Sequence, residues 1–254
     1  MALHSNKENK ERNVDLLWTG GWDSTFRLLQ IVLEEKKVVQ PHYILFNDRW
    51  SKDKEIETMN QIKKMVFSDY PFTQNLINET IFIEEDEIGP DQAVSQLYEV
   101  LKREKYIGNQ YDAIVRYAKQ FQFDNLEIGT EGSGNTYAFV KPHVGQIDGK
   151  RKVDSEKAPE HIYNFYKYFN FPLLNYSKQE MAESAGKKGW LTILNNTWIC
   201  HKPIFGSIPC GACNPCINAA KDEFAKNRLP LISRMMGKPV KKIYNSRIIK
   251  YLFR

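Results

Sequence analysis

The most regular feature of this sequence is the alternation of short apolar runs with longer segments in which apolar residues recur at helical spacing. The apolar runs predict strands at 14–17, 42–46, 80–83 and 125–130. The segments with helical spacing are 26–33, 53–66, 90–104 and 110–122. Strands alternating with helices are typical of a parallel sheet covered on both faces. We therefore predict an α/β fold with a doubly wound parallel sheet of about five strands.

The segment between the first predicted strand and helix is rich in glycine and hydroxyl side chains. It consists of Thr19, Gly20, Gly21, Trp22, Asp23, Ser24 and Thr25. Adjacent glycines leave backbone N–H groups open to an anion, and the first turn of a helix favours negative charge. The spacing matches neither G-x-G-x-x-G nor the Walker loop, because no lysine follows the glycines. A phosphate-binding loop is favoured over an ordinary strand–helix turn with a polar cap.

Two other segments lie where predicted strands end, and ligands of doubly wound sheets bind at those ends. Phe46 and Asn47 follow the second strand. A second glycine-rich loop, which includes Glu131 and Ser133, follows the strand that ends near Gly129 and Thr130. We expect this loop to contact substrate, the alternative being a plain flexible connection. Residues 143–160, rich in Gly, Lys, Asp and Pro, predict an insertion or a lid.

The cysteines are confined to one short segment, as Cys200, Cys210, Cys213 and Cys216. Clustered C-x₂-C-x₂-C spacing in a chain without a signal peptide favours a tetrahedral Zn²⁺ site over disulfides. Four thiolates leave no open position, so the zinc would be structural. An iron–sulfur cluster and free cysteines are the alternatives. His201 and His143 are spare candidates for a ligand or a base.

Composition favours a folded protein without a membrane span. The chain has 254 residues, of which 42% are hydrophobic and 13% aromatic, enough for a sizeable core. No apolar run reaches transmembrane length, and the polar start of the chain is not a signal peptide, so we expect a cytoplasmic protein. The expected parts are a polar segment at 1–13, a nucleotide-binding domain at 14–196, a cysteine subdomain at 197–224 and an extension at 225–254.

The C-terminal extension is strongly basic. Residues 225–254 contain nine Lys or Arg and no Asp or Glu, whereas the whole chain has a net charge of +5. A solvated helix face, or a tail packed on an acidic patch of the same fold, is one interpretation; a surface for RNA or a protein partner is the other.

Taken in chain order, several motifs over residues 14–224 resemble the 7-cyano-7-deazaguanine synthases, a family of PP-loop ATP pyrophosphatases. The matching features are the loop at 19–24, Phe46 and Asn47, Glu55, Asn109, Ile128 and Gly129, residues 172–174, Ser177, Lys178, Glu180, Met181, and residues 197–200 through Cys216. The resemblance implies a fold of the adenine nucleotide alpha hydrolase type.

The resemblance also implies a reaction that depends on ATP and Mg²⁺. The carboxylate of 7-carboxy-7-deazaguanine would be adenylated, ammonia would give the amide, and a second ATP-dependent step would give the nitrile. Asp23 and Ser24 would be catalytic, and the rest of the loop would bind ATP with Phe46, Asn47 and Gly129. The small-molecule deazapurine would contact Asn109, Thr130, Glu131 and Ser133. The four cysteines would bind Zn²⁺.

The sequence departs from this family in the segments that hold the deazapurine. Residues 131–137 replace an Asp-Tyr-Ser-Gly-Tyr-Pro-Asp-Cys-Arg-like segment, residues 48–51 replace a Tyr-Gly-Gln-Arg-His-like run, and Gly108 replaces an arginine. The divergence is similar to that of synthase-like proteins in bacterial antiphage defence clusters. It suggests a protein amine as acceptor and a protein or defence-system partner. A homodimer and a catalytically silent scaffold subunit remain open.

Overall fold

The computed structural model describes residues 13–132, 139–222 and 225–235. Its strands are β1 (Asn13–Leu17), β2 (Val38–Leu45), β3 (Ile81–Glu84), β4 (Leu126–Ile128), β5 (Val144–Ile147), β6 (Lys150–Val153) and β7 (Phe169–Asn170). The main sheet has five strands in the order β3-β2-β1-β4-β7, and all of its pairs are parallel. The predicted parallel sheet is confirmed.

The helices cover both faces of this sheet. They are α1 (Trp22–Leu29), α2 (Lys52–Asp69), α3 (Gln92–Glu104), α4 (Gln110–Gln120), α5 (Glu160–Tyr166), α6 (Lys178–Lys187), α7 (Leu191–Asn195) and α8 (Asn214–Lys221). A π-helical turn, Gln30–Glu34, extends α1. Short 3-10 turns lie at Pro71–Asn75, Glu85–Glu87, Lys141–His143 and Lys226–Arg228. In the described part of the chain, no helix combines the length and apolar character needed to cross a membrane.

Alternation along the strands explains why the sheet is doubly wound. Leu16 and Tyr43 belong to the core shared with α1, α2, α6 and α7. Their neighbours Leu17 and Ile44 belong to the core shared with α3, α4 and α5. Because successive strand residues point to opposite faces, each central strand contributes to both cores. This arrangement confirms the doubly wound fold predicted from the sequence.

The second strand is longer than predicted, because it begins at Val38 and runs through Pro41. Proline has no N–H to donate to a sheet, so the sequence favours a later start. The neighbouring strand β3 begins only at Ile81, which pairs with His42. Before that point, the N–H of Val39 donates to the carbonyl of Leu76. The side-chain amide of Gln40 donates to the carbonyl of Glu79 at 2.7 Å and compensates locally for the missing donor.

The predicted insertion at 143–160 contains the antiparallel hairpin of β5 and β6. The hairpin joins the edge of the main sheet, where the N–H of Phe171 donates to the carbonyl of Arg151 at 2.9 Å. The N–H of Arg151 donates in turn to Oδ1 of Asn170, also at 2.9 Å. The aromatic segment that follows packs in the core as predicted, since Phe165, Tyr166 and Phe169 are almost fully buried.

A buried ionic network fixes α1 against the sheet. Nε and Nη2 of Arg27 donate to the Glu127 carboxylate at 2.6 and 3.0 Å, and the side chain of Asn170 donates to the same carboxylate at 2.9 Å. Arg27 also pairs with Glu35 just beyond the helix. Each charge therefore has an opposite charge in contact, which offsets the cost of burying it. The network holds the helix whose first turn follows the glycine loop.

Candidate functional site

The glycine loop occupies the turn between β1 and α1, and its glycines meet specific geometric demands. Gly20 has a φ of +67°, and a Cβ there would lie 3.1 Å from Cγ of Met59 and 3.3 Å from the carbonyl oxygen of Glu55. Gly21 is the N-cap residue of the helix and makes no side-chain cap, because glycine has no side chain. The N–H groups of the first turn therefore remain available to an anion.

The loop lies at the point where the strand order of the sheet reverses. β1 has β2 on one side and β4 on the other, and the connections run in opposite directions from β1. Gly129, just after β4, comes so close to the loop helix that a Cβ there would lie 3.0 Å from the nitrogen of Ser24. Crevices at such switch points are the usual ligand sites of doubly wound sheets.

A cavity of about 1040 Å³ opens from this edge. One wall is formed by the loop and by residues after β2 and before α4. The opposite wall, called the cysteine wall below, is formed by residues from 198–222 and 225–228. The two walls are joined by a backbone hydrogen bond of 3.1 Å from the N–H of Trp198 to the carbonyl of Gly20. The volume is at the upper end of the roughly 300–1,000 Å³ usual for small-molecule sites. None of residues 143–160 line it, so the predicted lid is not observed.

A smaller cavity of about 210 Å³ adjoins the loop between β1, β2 and β4. Its apolar lining comes from Leu17, Ile44, Phe46, Ile114 and Ile128. Thr19, Gly21, Trp22, Asp23 and Phe46 line both cavities. The site therefore combines an apolar recess with a polar chamber on either side of one glycine loop.

Fixed charges surround the larger cavity. Nζ of Lys178, in the first turn of α6, contacts the two carboxylate oxygens of Asp23 at 2.6 and 2.9 Å. Arg49 is held by Glu55 at 3.3 Å and by Oε1 of Gln110 at 3.0 Å, with its guanidinium 5.5 Å from the ring centre of Phe46. Lys178 and Arg49 thus present two positioned cations to the larger cavity.

Glu55 lines the larger cavity but is almost fully buried, and hydrogen bonds from two hydroxyl groups compensate its charge. Tyr43 donates to it at 2.7 Å and Ser51 at 2.5 Å. Burial raises the pKa of Tyr43, and the neighbouring Glu55 charge adds to that effect. Tyr43 therefore stays protonated and serves as a donor that orients Glu55 toward Arg49.

The four cysteines form a compact cluster at the cysteine wall. All four Sγ atoms lie within 4.8 Å of one another, and those of Cys200 and Cys213 are 3.9 Å apart. Ligands on a tetrahedron with Zn–S bonds of about 2.3 Å are about 3.8 Å apart. Backbone N–H groups of Cys210 and Cys213 point at sulfur atoms of the cluster at 3.2 and 3.3 Å. These residues can hold a metal ion.

Contacts within the cluster couple the ionisation of the four thiols to one another. Hydrogen bonds among the side chains lower the pKa of Cys210 and bring that of Cys213 to about 7. The same contacts raise the pKa values of Cys200 and Cys216. Four thiolates so close together require a cation, since like charges at this distance disfavour ionisation.

Two other basic groups face the larger cavity. His201 lines the cavity but remains exposed, and desolvation by the surrounding residues, together with the charge of Arg49, lowers the pKa of its imidazole. Arg228 lies over the ring of Trp22, with 5.0 Å from Cζ to the ring centre. His143 is distant from this group and contacts the carbonyl of Lys157 at 3.0 Å.

Most of the residues proposed from the sequence converge here. The larger cavity is lined by Thr19, Gly21, Trp22, Asp23, Phe46, Asn109 and Glu131, and the smaller one also by Ser24, Gly129 and Thr130. Gly20 shapes the loop from beneath, and Thr25 is buried, accepting a hydrogen bond from Trp18 at 3.0 Å. Asn47 lines neither cavity, because its side chain donates to Asp86 at 2.9 Å. Ser133 lies outside the described residues.

Sequence reasoning missed the roles of three cations at this site. Lys178 was named only among the motifs that resemble the synthase family. Neither Arg49 nor Arg228 was proposed as a site residue. The capping-box spacing of Ser177 and Glu180 places Lys178 in the first turn of α6, which the helix pattern could have revealed. No local signal marks Arg228, since its position depends on how residues 197–229 fold back onto the loop.

No protein-family model matches the sequence, and no curated protein matches it significantly. Among solved structures, the chain is similar to the U34-tRNA thiolase NcsA from Methanococcus maripaludis, solved with its [4Fe-4S] cluster. The TM-score is 0.39 at 14% identity, over 94% of this chain and 73% of the thiolase. It is also similar to a predicted subunit of tRNA methyltransferase from Methanocaldococcus jannaschii, with a TM-score of 0.38 at 12% identity, over 68% of this chain and 74% of that one. Neither similarity assigns a family to this chain.

Proposed function

We propose that this protein is an ATP pyrophosphatase of the PP-loop type that adenylates a carboxylate. The observation that carries the proposal is the glycine loop itself. Its uncapped helix start lies at the switch point of the sheet, between an apolar recess and a polar chamber lined with charges. An adenine ring fits the recess, phosphates fit the N–H groups, and the chamber leaves room for a second substrate.

In the reaction we propose, a carboxylate oxygen of the substrate attacks the α-phosphorus of ATP. The bond from that phosphorus to the bridging oxygen breaks, and pyrophosphate leaves. The loop N–H groups and Lys178 stabilise the charge that develops on pyrophosphate. Asp23 offers a carboxylate for Mg²⁺, which supplies further neutralisation of the phosphates. Ser24 adds a hydroxyl at the helix start.

The substrate we favour is 7-carboxy-7-deazaguanine, on the resemblance described for the sequence. Asn109 and Glu131 both face the polar chamber, and Glu131 is only 7% exposed. A carboxylate accepts hydrogen bonds from guanine-like N–H groups, and an amide both donates and accepts. These side chains support recognition of a planar base with several polar edges.

A nitrogen nucleophile completes the reaction by attacking the activated carbonyl carbon, and AMP leaves. Ammonia would give an amide and then, with a second ATP, the nitrile. The depth of the chamber, which extends to the cysteine wall, also accommodates a longer amine such as a protein side chain. We assign Zn²⁺ to the four cysteines as a structural ion, since four sulfur ligands leave no position for chemistry.

Incubation with ATP, Mg²⁺ and 7-carboxy-7-deazaguanine, with and without ammonia, tests the proposal. Mass spectrometry should detect AMP and pyrophosphate rather than ADP and phosphate, together with an amide or nitrile when ammonia is present. Asp23→Asn and Ser24→Ala should abolish product without changing the circular dichroism spectrum. A silent scaffold would form no AMP with any carboxylate tested, and that result would reject the enzyme assignment.

A further inference from the structure

Arg228 stands out as a cation that no acidic side chain among the described residues neutralises by contact. It ends the turn Lys226–Arg228, beyond the cysteine helix α8, and it lines the larger cavity. Its guanidinium stacks on Trp22, the first residue of the helix that follows the glycine loop. The C-terminal segment therefore brings a positive charge directly to the start of α1.

The hydrogen bonds of Arg228 are incomplete. Nη2 donates to the carbonyl of Thr197 at 3.2 Å, whereas Nε is buried without a hydrogen-bond partner among the described residues. Neither Trp22 nor the Thr197 carbonyl carries a formal negative charge. Asp23, one of the nearest carboxylates, is already held by Lys178 at 2.6 Å.

The electrostatic consequence is a destabilised guanidinium. Burial lowers the pKa of Arg228 to about 10, despite the favourable charges of Asp23 and Asp222. A buried cation without a contacting anion is costly, and an arginine fork matches phosphate oxygens in geometry. An anion bound at the loop would meet both the N–H groups of α1 and this fork.

We propose that Arg228 completes the phosphate site of the glycine loop and binds the pyrophosphate portion of ATP from the cysteine wall. The inference rests on the proposed function, since it assumes that the loop binds a nucleotide. It adds that one cation of the phosphate site is supplied by the segment that follows the cysteines. Correct folding around Cys200 and Cys216 is then a condition for binding phosphate, because Thr197 and α8 position Arg228 from both sides.

Binding of inorganic pyrophosphate with Mg²⁺, measured by calorimetry, tests this role. Arg228→Gln should weaken pyrophosphate binding roughly 10- to 100-fold, the effect expected for losing a hydrogen bond to a charged group. Binding of adenosine, measured by ligand-observed NMR, should not change. Arg234→Gln is the matched control, because Arg234 is exposed and does not line the cavity, and it should bind pyrophosphate like the wild type.

The outcomes separate this inference from the proposed function. Wild-type protein that binds neither pyrophosphate nor ATP would reject both. Wild-type binding that Arg228→Gln leaves unchanged would overturn only the role of Arg228. Equal weakening of pyrophosphate and adenosine would assign Arg228 a structural role and also overturn it. If Arg228→Gln fails to fold, Arg228→Lys provides the test, with weaker pyrophosphate binding expected and unchanged binding as the contradicting result.

Discussion

The glycine loop at 19–25 and the cysteine segment at 200–216 face each other across one cavity, yet different forces hold them in shape. The loop is fixed by packing: Gly129 abuts Ser24, Met59 lies beneath Gly20, and the Arg27 network holds the helix. The cysteine segment has a small apolar cluster of its own, in which three of the four cysteines are fully buried. Its four sulfur atoms lie within 4.8 Å of one another.

This contrast teaches that only one wall of the site is preorganised by the polypeptide alone. The loop belongs to a core that extends on both faces of a five-stranded sheet. The four cysteines can hold a metal ion, and we propose that the wall they form depends on it, since binding a metal supplies folding free energy that such small clusters lack. Perturbations should therefore affect the two walls very differently.

Loss of the metal should have the largest effect. Structural zinc in small peptides contributes roughly 10 kcal/mol or more to folding, so a strong chelator or Cys200→Ser should unfold residues 197–229. Hydrogen exchange should rise throughout that segment, while β1, β2 and α1 stay protected. Elemental analysis of anaerobically purified protein should find zinc. Protection that stays unchanged after metal removal would contradict the contrast between the walls.

The buried network under the loop should show the next largest effect. Glu127→Gln removes the carboxylate that Arg27 contacts twice and should lower the free energy of unfolding by about 3 kcal/mol. Denaturant titration measures the change. Glu57→Gln, which removes an exposed partner of Lys54, is the control and should cost less than about 1 kcal/mol. Similar losses in the two variants would show that the Arg27 network does not anchor α1.

Gly129→Ala tests the close approach of β4 to the loop. The added Cβ would lie 3.0 Å from backbone nitrogen of Ser24, so α1 must shift, at a cost of about 1–3 kcal/mol. ATP binding should weaken as well, because the shifted N–H groups no longer converge. Gly186→Ala, in the last turn of α6 with ordinary space around it, should instead be neutral or stabilising. Unchanged ATP affinity in Gly129→Ala would argue against the loop as the phosphate site.

Lys178→Met should have the smallest effect on stability and a large one on activity. The ion pair with Asp23 is partly exposed, so its loss should cost less than about 1 kcal/mol. AMP formation should fall roughly 100-fold or more if Lys178 stabilises the leaving pyrophosphate. Lys187→Met, at the other end of α6, is the control for both assays. Full activity in Lys178→Met would remove that residue from the proposed mechanism.

The sequence predicted the features of the site that have local causes. Two glycines before a helix, a strand ending at Gly129 and four clustered cysteines are recognisable from spacing alone. Asn47 was assigned to the site by its position after a strand. Its backbone and side-chain N–H groups instead donate to the carboxylates of Glu85 and Asp86. Residues 143–160 were predicted to be an insertion or a lid. They form an inserted hairpin that pairs with the sheet edge and lines neither cavity, and composition alone could not reveal that pairing. Arg228 could not be predicted as a site residue, because only the tertiary fold brings it into contact with Trp22.

The central claim is that a substrate carboxylate attacks the α-phosphorus of ATP at the glycine loop. It is tested most directly with 7-carboxy-7-deazaguanine labelled with ¹⁸O in its carboxylate, incubated with ATP, Mg²⁺ and ammonia. The account predicts that the AMP formed carries one ¹⁸O atom, transferred when the acyl adenylate is broken by nitrogen. Unlabelled AMP, or label found only in inorganic phosphate, would contradict it.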